Sequence, residues 1–331
     1  MLDQTPWLVS QEGVMHSSEV ARSLAYAATA GKEGIMGPTE LRVTAMSTPT
    51  GKVRVSPGVA SVLSRYPGAS TQSYIARNIS STDVTISPTS STGPRNDLLV
   101  LRISDTGLAG TAPADVNNYD YARFEVIQGV PASTSSVSDL NLTYPAIALA
   151  LIKIPASTSA ITNSMITDLR KLANPRTEDV WFPMPTLATE GEALEGTGPV
   201  GEWFINAAVQ TVDIPSWAVR MQVRVDWLSV RYSAGNAYGQ VWLEYGPYKG
   251  PSERERKTQE FQWDSPAVTS VSRGNLTVVD DVYIPKAYRG TSQLFVPKGR
   301  KAGGSGMMSF DGLSGMSIQI RFLETADDDL L

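Results

Sequence analysis

The apolar residues of this chain fall in short runs rich in Val, Ile and Leu, separated by turns that contain glycine and proline. Residues 98–103 and 146–154 are almost continuously apolar, which is typical of strands covered on both faces. A further strand is predicted at 124–127. Because these runs are short and rich in β-branched residues, they favour strands over helices.

The clearest alternation of apolar and polar residues spans 219–227. Val223 and Trp227 share one face with three other apolar residues, while Arg224 and Asp226 lie on the opposite face. We therefore expect Trp227 in the core of a sheet, and the polar face against solvent or another subunit.

The other strand candidates recur at the spacing of a β-sandwich or a small barrel. They are 41–46, 52–55, 59–63, 72–77, 83–86, 238–245, 276–284, 292–296 and 315–323. A short helix is predicted after Thr162 or Asn163, where either residue can act as the N-cap.

One longer helix is predicted over 17–30, with an N-cap at Ser17 or Ser18 and a stop at Gly31. Its apolar stripe is narrow and rich in alanine. Such a stripe buries little area, so we expect the helix to need a partner surface, which another subunit could supply.

Together the patterns predict an all-β protein: an N-terminal helix with a β-sandwich or barrel domain, followed by a C-terminal, jelly-roll-like β-sandwich. Residues 174–198 are rich in Pro, Thr, Glu and Gly, and are interpreted as a linker. The predicted organisation is an arm and helix (1–36), a first β-domain (37–173), the linker, a second β-domain (199–326) and an acidic tail (327–331).

Composition narrows the classes of function. The chain has 331 residues and is 18% charged, which is ordinary for a globular protein. Its net charge of −5 argues against a large nucleic-acid-binding surface and leaves a local basic patch open. No apolar run is long enough to span a membrane. The absence of cysteine excludes disulfides and thiol catalysis.

Candidate catalytic groups are few. His16 is the only histidine and precedes the helix, so neither a Ser-His-Asp triad nor a familiar zinc site is predicted. Carboxylates alone can hydrolyse a glycosidic bond, and the possible ones are Asp226, Glu244, Glu260, Asp280 and Asp281. Adjacent Asp280 and Asp281 would point to opposite faces of a strand. We therefore expect solvated carboxylates, no catalytic residues and no cofactor.

Two charged segments resemble ligand sites only superficially. Glycines at 303–306 follow Lys298, Arg300 and Lys301, but the pattern of a phosphate-binding loop is absent, and a flexible loop is expected. Basic and acidic residues interleave over 253–260, which indicates a solvated loop.

Aromatic residues concentrate in the second half of the chain. Such residues can form a core, a subunit interface or a platform for sugars, and all of these remain open. The tryptophans concerned are Trp203, Trp217, Trp227, Trp242 and Trp263.

Several stretches resemble minor tail proteins from long-tailed phages of actinobacteria. In the first half they are 16–22 (HSSEVAR), 55–60 (VSPGVA), 95–100 (RNDLLV), 150–155 (ALIKIP) and 166–170 (ITDLR). In the second half they are 214–218 (IPSWA), 290–297 (GTSQLFVP) and 311–315 (DGLSG).

The resemblance implies a structural virion protein of the tail tip or baseplate, assembled in the bacterial host cytoplasm beside other tail-tip proteins. It also implies a symmetric homo-oligomer, for which we expect a trimer. An alternative is a receptor-binding protein that recognises host cell-wall glycan through its second domain. The resemblance carries no site residues with it.

Overall fold

The computed structural model describes residues 2–3, 18–116, 118–184, 192–204, 208–250 and 252–326. The chain divides into two compact units. Unit 1 comprises Met1–Pro175 and Thr325–Leu331, and unit 2 comprises Arg176–Glu324. Both are built mainly of antiparallel strands, so the predicted all-β class is confirmed.

The described residues of unit 1 form one α-helix, α1 (Ser18–Ala28), and three small sheets, ordered β1-β6-β5-β2, β3-β4-β7 and β11-β10-β8-β9. Its strands are β1 (Leu2–Asp3), β2 (Gly34–Ile35), β3 (Val43–Ala45), β4 (Lys52–Val55), β5 (Gly58–Leu63), β6 (Ser73–Asn78), β7 (Thr82–Thr85), β8 (Arg95–Ile103), β9 (Ala122–Ile127), β10 (Ala146–Ile154) and β11 (Ile166–Asp168).

The two continuously apolar runs become the central strands β8 and β10, which pair with each other. Residues on both of their faces are buried. Leu99 and Ile152 belong to one apolar cluster, whereas Leu98 and Leu151 belong to another on the opposite side. Coverage of both faces explains why these strands lack polar alternation.

Helix α1 packs against unit 1 through Ala21, Arg22 and Ala25. The 1–36 segment is therefore not separate from the first β-domain, because β2 also pairs with β5. The other face of the helix is exposed, with Val20 54% and Leu24 63% accessible.

The helix predicted after Thr162 is wrong. Asn163–Met165 form only a 3-10 turn, and β11 follows at once. Ile166 pairs with Ile152 of β10, so the β-branched residues of this stretch complete a sheet instead of continuing a helix.

Unit 2 is a sandwich of two sheets. Its strands are β12 (Thr177–Met184), β13 (Glu192–Ala193), β14 (Glu202–Trp203), β15 (Gln210–Asp213), β16 (Arg220–Tyr232), β17 (Gly235–Gly250), β18 (Glu253–Lys257), β19 (Phe261–Val268), β20 (Ser272–Tyr283), β21 (Ser292–Gly304), β22 (Met308–Phe310) and β23 (Gly315–Leu323). One sheet contains β12, β13, β16, β20, β22 and β23, and the other contains β14, β15, β17, β18, β19 and β21.

Side chains from both sheets form one core between them. Trp227 and Val223 of β16 belong to the same buried cluster as Leu243 of β17 and Phe295 of β21. The predicted inner face of β16 is therefore confirmed. Asp226, however, is 6% exposed and not solvated, because the neighbouring strands β20 and β23 flank it.

The predicted linker at 174–198 is wrong in its centre. Thr177–Met184 form β12, which pairs along its length with β23, and Glu192–Ala193 pair with β22. Prolines within 174–198 suggested a linker, but β12 tolerates Pro183 because it is an edge strand among the strands that the structure describes.

The two ends of unit 2 lie side by side. The Arg176 guanidinium donates to the Glu324 carboxylate at 2.5 and 2.9 Å, and each backbone N–H of the pair is also bonded to the other residue. Unit 2 thus begins at 176 and not at 199. The chain then returns to unit 1, where Ala326 packs against the core.

Part of the sequence prediction lies outside the described residues. This holds for His16, for residues 4–17 of the arm and for the acidic tail at 327–331.

Candidate functional site

The outer face of the first sheet of unit 2 presents polar side chains in register across four strands, in the order β12-β23-β16-β20. One row across these strands is Trp181, Gln319, Arg224 and Val279. The next row is Asp179, Arg321, Gln222 and Asp281. Alternation places these residues outward, while their chain neighbours, such as Val223 and Ile320, face the core.

Trp181 is the most prominent residue of this face. Its side chain is 64% exposed, although the inward neighbours Val180 and Phe182 pack against the core. Trp181 lies on β12, which among the described strands is at the edge of its sheet, with β23 as its neighbour. The indole can therefore stack against a ligand without moving.

Three arginine–aspartate pairs fix the polar groups of the face. Arg321 donates to Asp179 through two nitrogens, at 2.6 and 3.0 Å. The other two pairs are Arg220 with Asp281 at 2.9 Å and Arg224 with Asp226 at 2.7 Å. Each pair spans adjacent positions of one sheet face, and their formal charges cancel.

Hydrogen bonds and charge favour the ionised form of two of these carboxylates, Asp179 and Asp226. The hydrogen bond from Arg321 holds the pKa of Asp179 below its ordinary value. Burial acts to raise the pKa of Asp226, but hydrogen bonds from Arg224 and Thr277, and the charge of Arg224, leave that pKa lowered. The Thr277 hydroxyl donates to Asp226 at 2.7 Å from the adjacent strand. Asp179 and Asp226 therefore stay ionised near neutral pH.

These side chains line a shallow groove of about 840 Å³ that extends from Trp181 at one end to Val279 at the other. Val279 is 50% exposed and adds an apolar surface at the far end. The groove combines an aromatic plane, two glutamine side chains and fixed guanidinium groups. It can stack on a ring and exchange hydrogen bonds with hydroxyl groups.

The carboxylates considered for glycoside hydrolysis are not brought together as a pair. Asp226 and Asp281 share the outer face, but they lie four residues apart in register, about 13 Å along the strands. That exceeds the separation of carboxylate pairs in glycosidases, which is about 5–9.5 Å. Asp280 faces the other way and accepts from the Gln259 backbone N–H at 2.8 Å.

Glu244 and Glu260 belong to the second sheet region. Glu244 accepts hydrogen bonds from the Trp242 indole and the Arg254 backbone N–H, and it lies 3.7 Å from the Lys298 ammonium. Glu260 pairs with Lys257 at 2.6 Å. Asp226 and Glu244 lie on strands of different sheets, β16 and β17.

The predicted flexible loop near 303–306 begins as a strand. Lys298 is fully buried in β21, where its ammonium donates to the Ser252 carbonyl, and Gly303 and Gly304 still pair with β17. Side chains on Gly239 or Gly304 would collide with backbone atoms of the neighbouring strand, so close strand packing explains these glycines. Residues 253–257, expected to be a loop, form β18.

Most of the clustered aromatics are core residues. Trp227, Trp242 and Trp263 are almost fully buried, and Trp217 packs partly against the core. The side chain of Trp203 lies outside the described residues. Trp181 was absent from the predicted cluster because it was assigned to the linker. The alternation of Asp179, Trp181 and Pro183 with apolar residues was the signal that could have located it.

Among the described residues, no group of three or more His, Cys, Asp and Glu side chains could hold a metal ion. Within the same residues, no helix is long and apolar enough to cross a membrane.

No protein-family model matches the chain, and no curated protein matches it. A structure of infectious bursal disease virus Gt strain is 11% identical over 89% of this chain and 78% of its own, with a TM-score of 0.22. The VP2 subviral particle of that virus is 12% identical over 94% and 83%, with the same TM-score.

A third solved structure, an insecticidal delta-endotoxin from Bacillus thuringiensis, is 8% identical over 89% of this chain and 55% of its own, with a TM-score of 0.22. Values this low do not support a shared fold or function. The architecture therefore rests on the strands and cores of this chain alone.

Proposed function

We propose that this protein is a structural component of a phage virion, located at the tail tip or baseplate and assembled as a homotrimer. The observation that carries the proposal is the resemblance of stretches in both units, from 16–22 to 311–315, to minor tail proteins. Two β-units, each with its own apolar core, suit a protein that docks through one unit and presents the other.

Location in the particle tests this proposal. Purified virions of the encoding phage would be examined by mass spectrometry and by cryo-electron microscopy of the tail. We expect the chain among the virion proteins, with both units fitting density at the tail tip. Density in the capsid, or absence of the chain from purified particles, would contradict the proposal.

A second candidate function is recognition of host cell-wall glycan by unit 2. The exposed Trp181 beside Gln319 favours it, because an exposed aromatic with hydrogen-bonding neighbours suits a sugar ring. Sedimentation of the full chain with protein-free host wall polysaccharide tests it. Retention on that material is the expected result, and full recovery in the supernatant would contradict it.

We infer no wall-degrading activity. Hydrogen bonds from arginine hold the pKa of Asp179 and of Asp226 below the ordinary value, so neither is the protonated acid that a leaving group needs, and Asp226 and Asp281 lie too far apart to act as a glycosidase pair. Release of reducing sugars from the same wall material measures this directly. Sustained release that disappears in Asp281→Asn would contradict it.

A further inference from the structure

We propose that the outward groove of unit 2 binds a neutral oligosaccharide, with Trp181 as the stacking platform. This inference rests on the second candidate function. It adds the position of the site and the chemical class of the sugar.

Stacking is provided at one end of the groove. The C–H faces of a sugar ring are apolar, and burying them against the exposed indole of Trp181 removes apolar surface from water on both partners. Packing of Val180 and Phe182 against the core fixes the β12 backbone that carries the indole.

Hydrogen-bonding side chains lie on the two strands next to Trp181. Gln319 lies opposite Trp181 in the register, and Arg224 lies opposite Gln319 on the next strand. A glutamine amide both donates and accepts, which matches a sugar hydroxyl. Arg224 has five N–H donors, and its bond to Asp226 uses one of them.

Charge decides the class of sugar. Each arginine on the face already holds an aspartate, and the formal charges of the three pairs cancel. An anionic ligand would displace or approach the exposed carboxylates of Asp179 and Asp281. A neutral sugar meets neither repulsion nor the cost of desolvating an unpaired ion.

The length of the groove favours an oligosaccharide over a single sugar. From Trp181 on β12 to Val279 on β20 there are three strand spacings, or about 14 Å. Val279 gives a second apolar contact at the far end. A protein partner is less well matched, because the centres of protein interfaces are depleted in charged residues.

The experiment uses the full chain and defined probes. Maltotetraose, cellotetraose, mannotetraose and galactotetraose represent neutral sugars, and tetragalacturonate is the acidic control. Binding is measured by calorimetric titration and by the shift of the indole N–H resonances. Trp181→Phe assigns the Trp181 signal.

Matched variants locate the site. Trp181→Ala should weaken binding at least about tenfold, whereas Trp181→Phe should retain part of it. Gln319→Ala should weaken binding severalfold. Tyr248→Ala is the control, because Tyr248 is 61% exposed but lies on the other sheet, and its binding should match that of the wild type.

The outcomes test the position of the site and the class of sugar separately. Binding of a neutral probe that requires Trp181 supports the site and the class, whereas tighter binding of tetragalacturonate overturns the class. Binding that persists in Trp181→Ala overturns the site and leaves wall recognition standing. If the chain binds host wall but none of the neutral probes, the assigned class is wrong. Loss of self-association in Trp181→Ala, seen by light scattering without sugar binding, would make this face a protein interface.

Discussion

The indole nitrogen of Trp227 lies 3.3 Å from the carbonyl oxygen of Phe204, and both side chains are fully buried. Trp227 belongs to β16 in one sheet of unit 2, while Phe204 directly follows β14 in the other. The bond therefore joins the two sheets through the core, and it satisfies a polar group that would otherwise be buried without a partner.

Trp227→Ala should lower the free energy of unfolding of unit 2 by about 3–5 kcal/mol, because it removes a fully buried side chain and leaves a cavity. Calorimetry of the full chain measures this loss. Gln222→Ala, an exposed position on the same strand, should stay within about 0.5 kcal/mol of the wild type. Equal losses in the two variants would mean that the faces of β16 are reversed.

Arg224→Ala should destabilise unit 2 more than Gln222→Ala and much less than Trp227→Ala. The Arg224 side chain is itself exposed, but it is the ionic partner of the nearly buried Asp226. Removing the guanidinium should raise the pKa of Asp226, which NMR titration of that carboxyl would report. An unchanged pKa would show that Thr277 alone holds the carboxylate.

Arg273 and Asp311 should make unit 2 sensitive to acid. The hydrogen bond from Arg273, with further bonds from the Leu313 backbone and Ser314, lowers the pKa of Asp311 from 3.8 to about 2. Since the folded-state pKa lies below the unfolded value, the pair stabilises the fold above pH 3.8, and this stabilisation is lost as pH falls through about 2.

The variant Arg273→Gln tests this. Its stability deficit relative to the wild type should be largest near neutral pH and should vanish by about pH 2, as measured by urea unfolding at a series of pH values. Lys249→Gln, at an exposed position of β17 in the other sheet of unit 2, provides a control. A deficit that stays constant down to about pH 2 would contradict the assigned pKa.

Leu24→Ser should weaken the predicted trimer without unfolding unit 1, because Leu24 and Val20 form an exposed apolar pair one helical turn apart on α1. Light scattering across a dilution series measures the association. Ser23→Ala, also exposed on the helix, serves as the control. A wild-type chain that remains monomeric at micromolar concentration and in the virion would contradict the predicted trimer.

The sequence predicts strands correctly where one face of the strand is buried or where both faces are buried. Strand β23 and the inner face of β16 follow from alternation, and β10 from a continuous apolar run. The errors occur where tertiary pairing overrides composition. Pro183 suggested a linker, yet the pairing of β12 with β23 makes that segment a sheet edge.

The candidate site was harder to find, because its residues are spread over four strands that only the topology brings together. Arg224 and Asp281 were visible as polar positions, but nothing in the sequence places Gln319 between Trp181 and Arg224. Burial of Asp226 was likewise invisible, since it depends on Thr277 and the flanking strands. Alternation along one strand shows which way a side chain faces but not what lies beside it.

The hydrogen-bonded pair Arg176 and Glu324 closes unit 2, and this closure affects how the gene can recombine. The first and last strands of unit 2 are antiparallel neighbours, in which Thr177 lies opposite Leu323. The residues before and after these strands belong to unit 1. Two crossovers, one after codon 175 and one after codon 324, would exchange the whole sandwich as a cassette while cutting neither apolar core. Hybrid chains joined at these two junctions should therefore keep the apolar core of each unit intact.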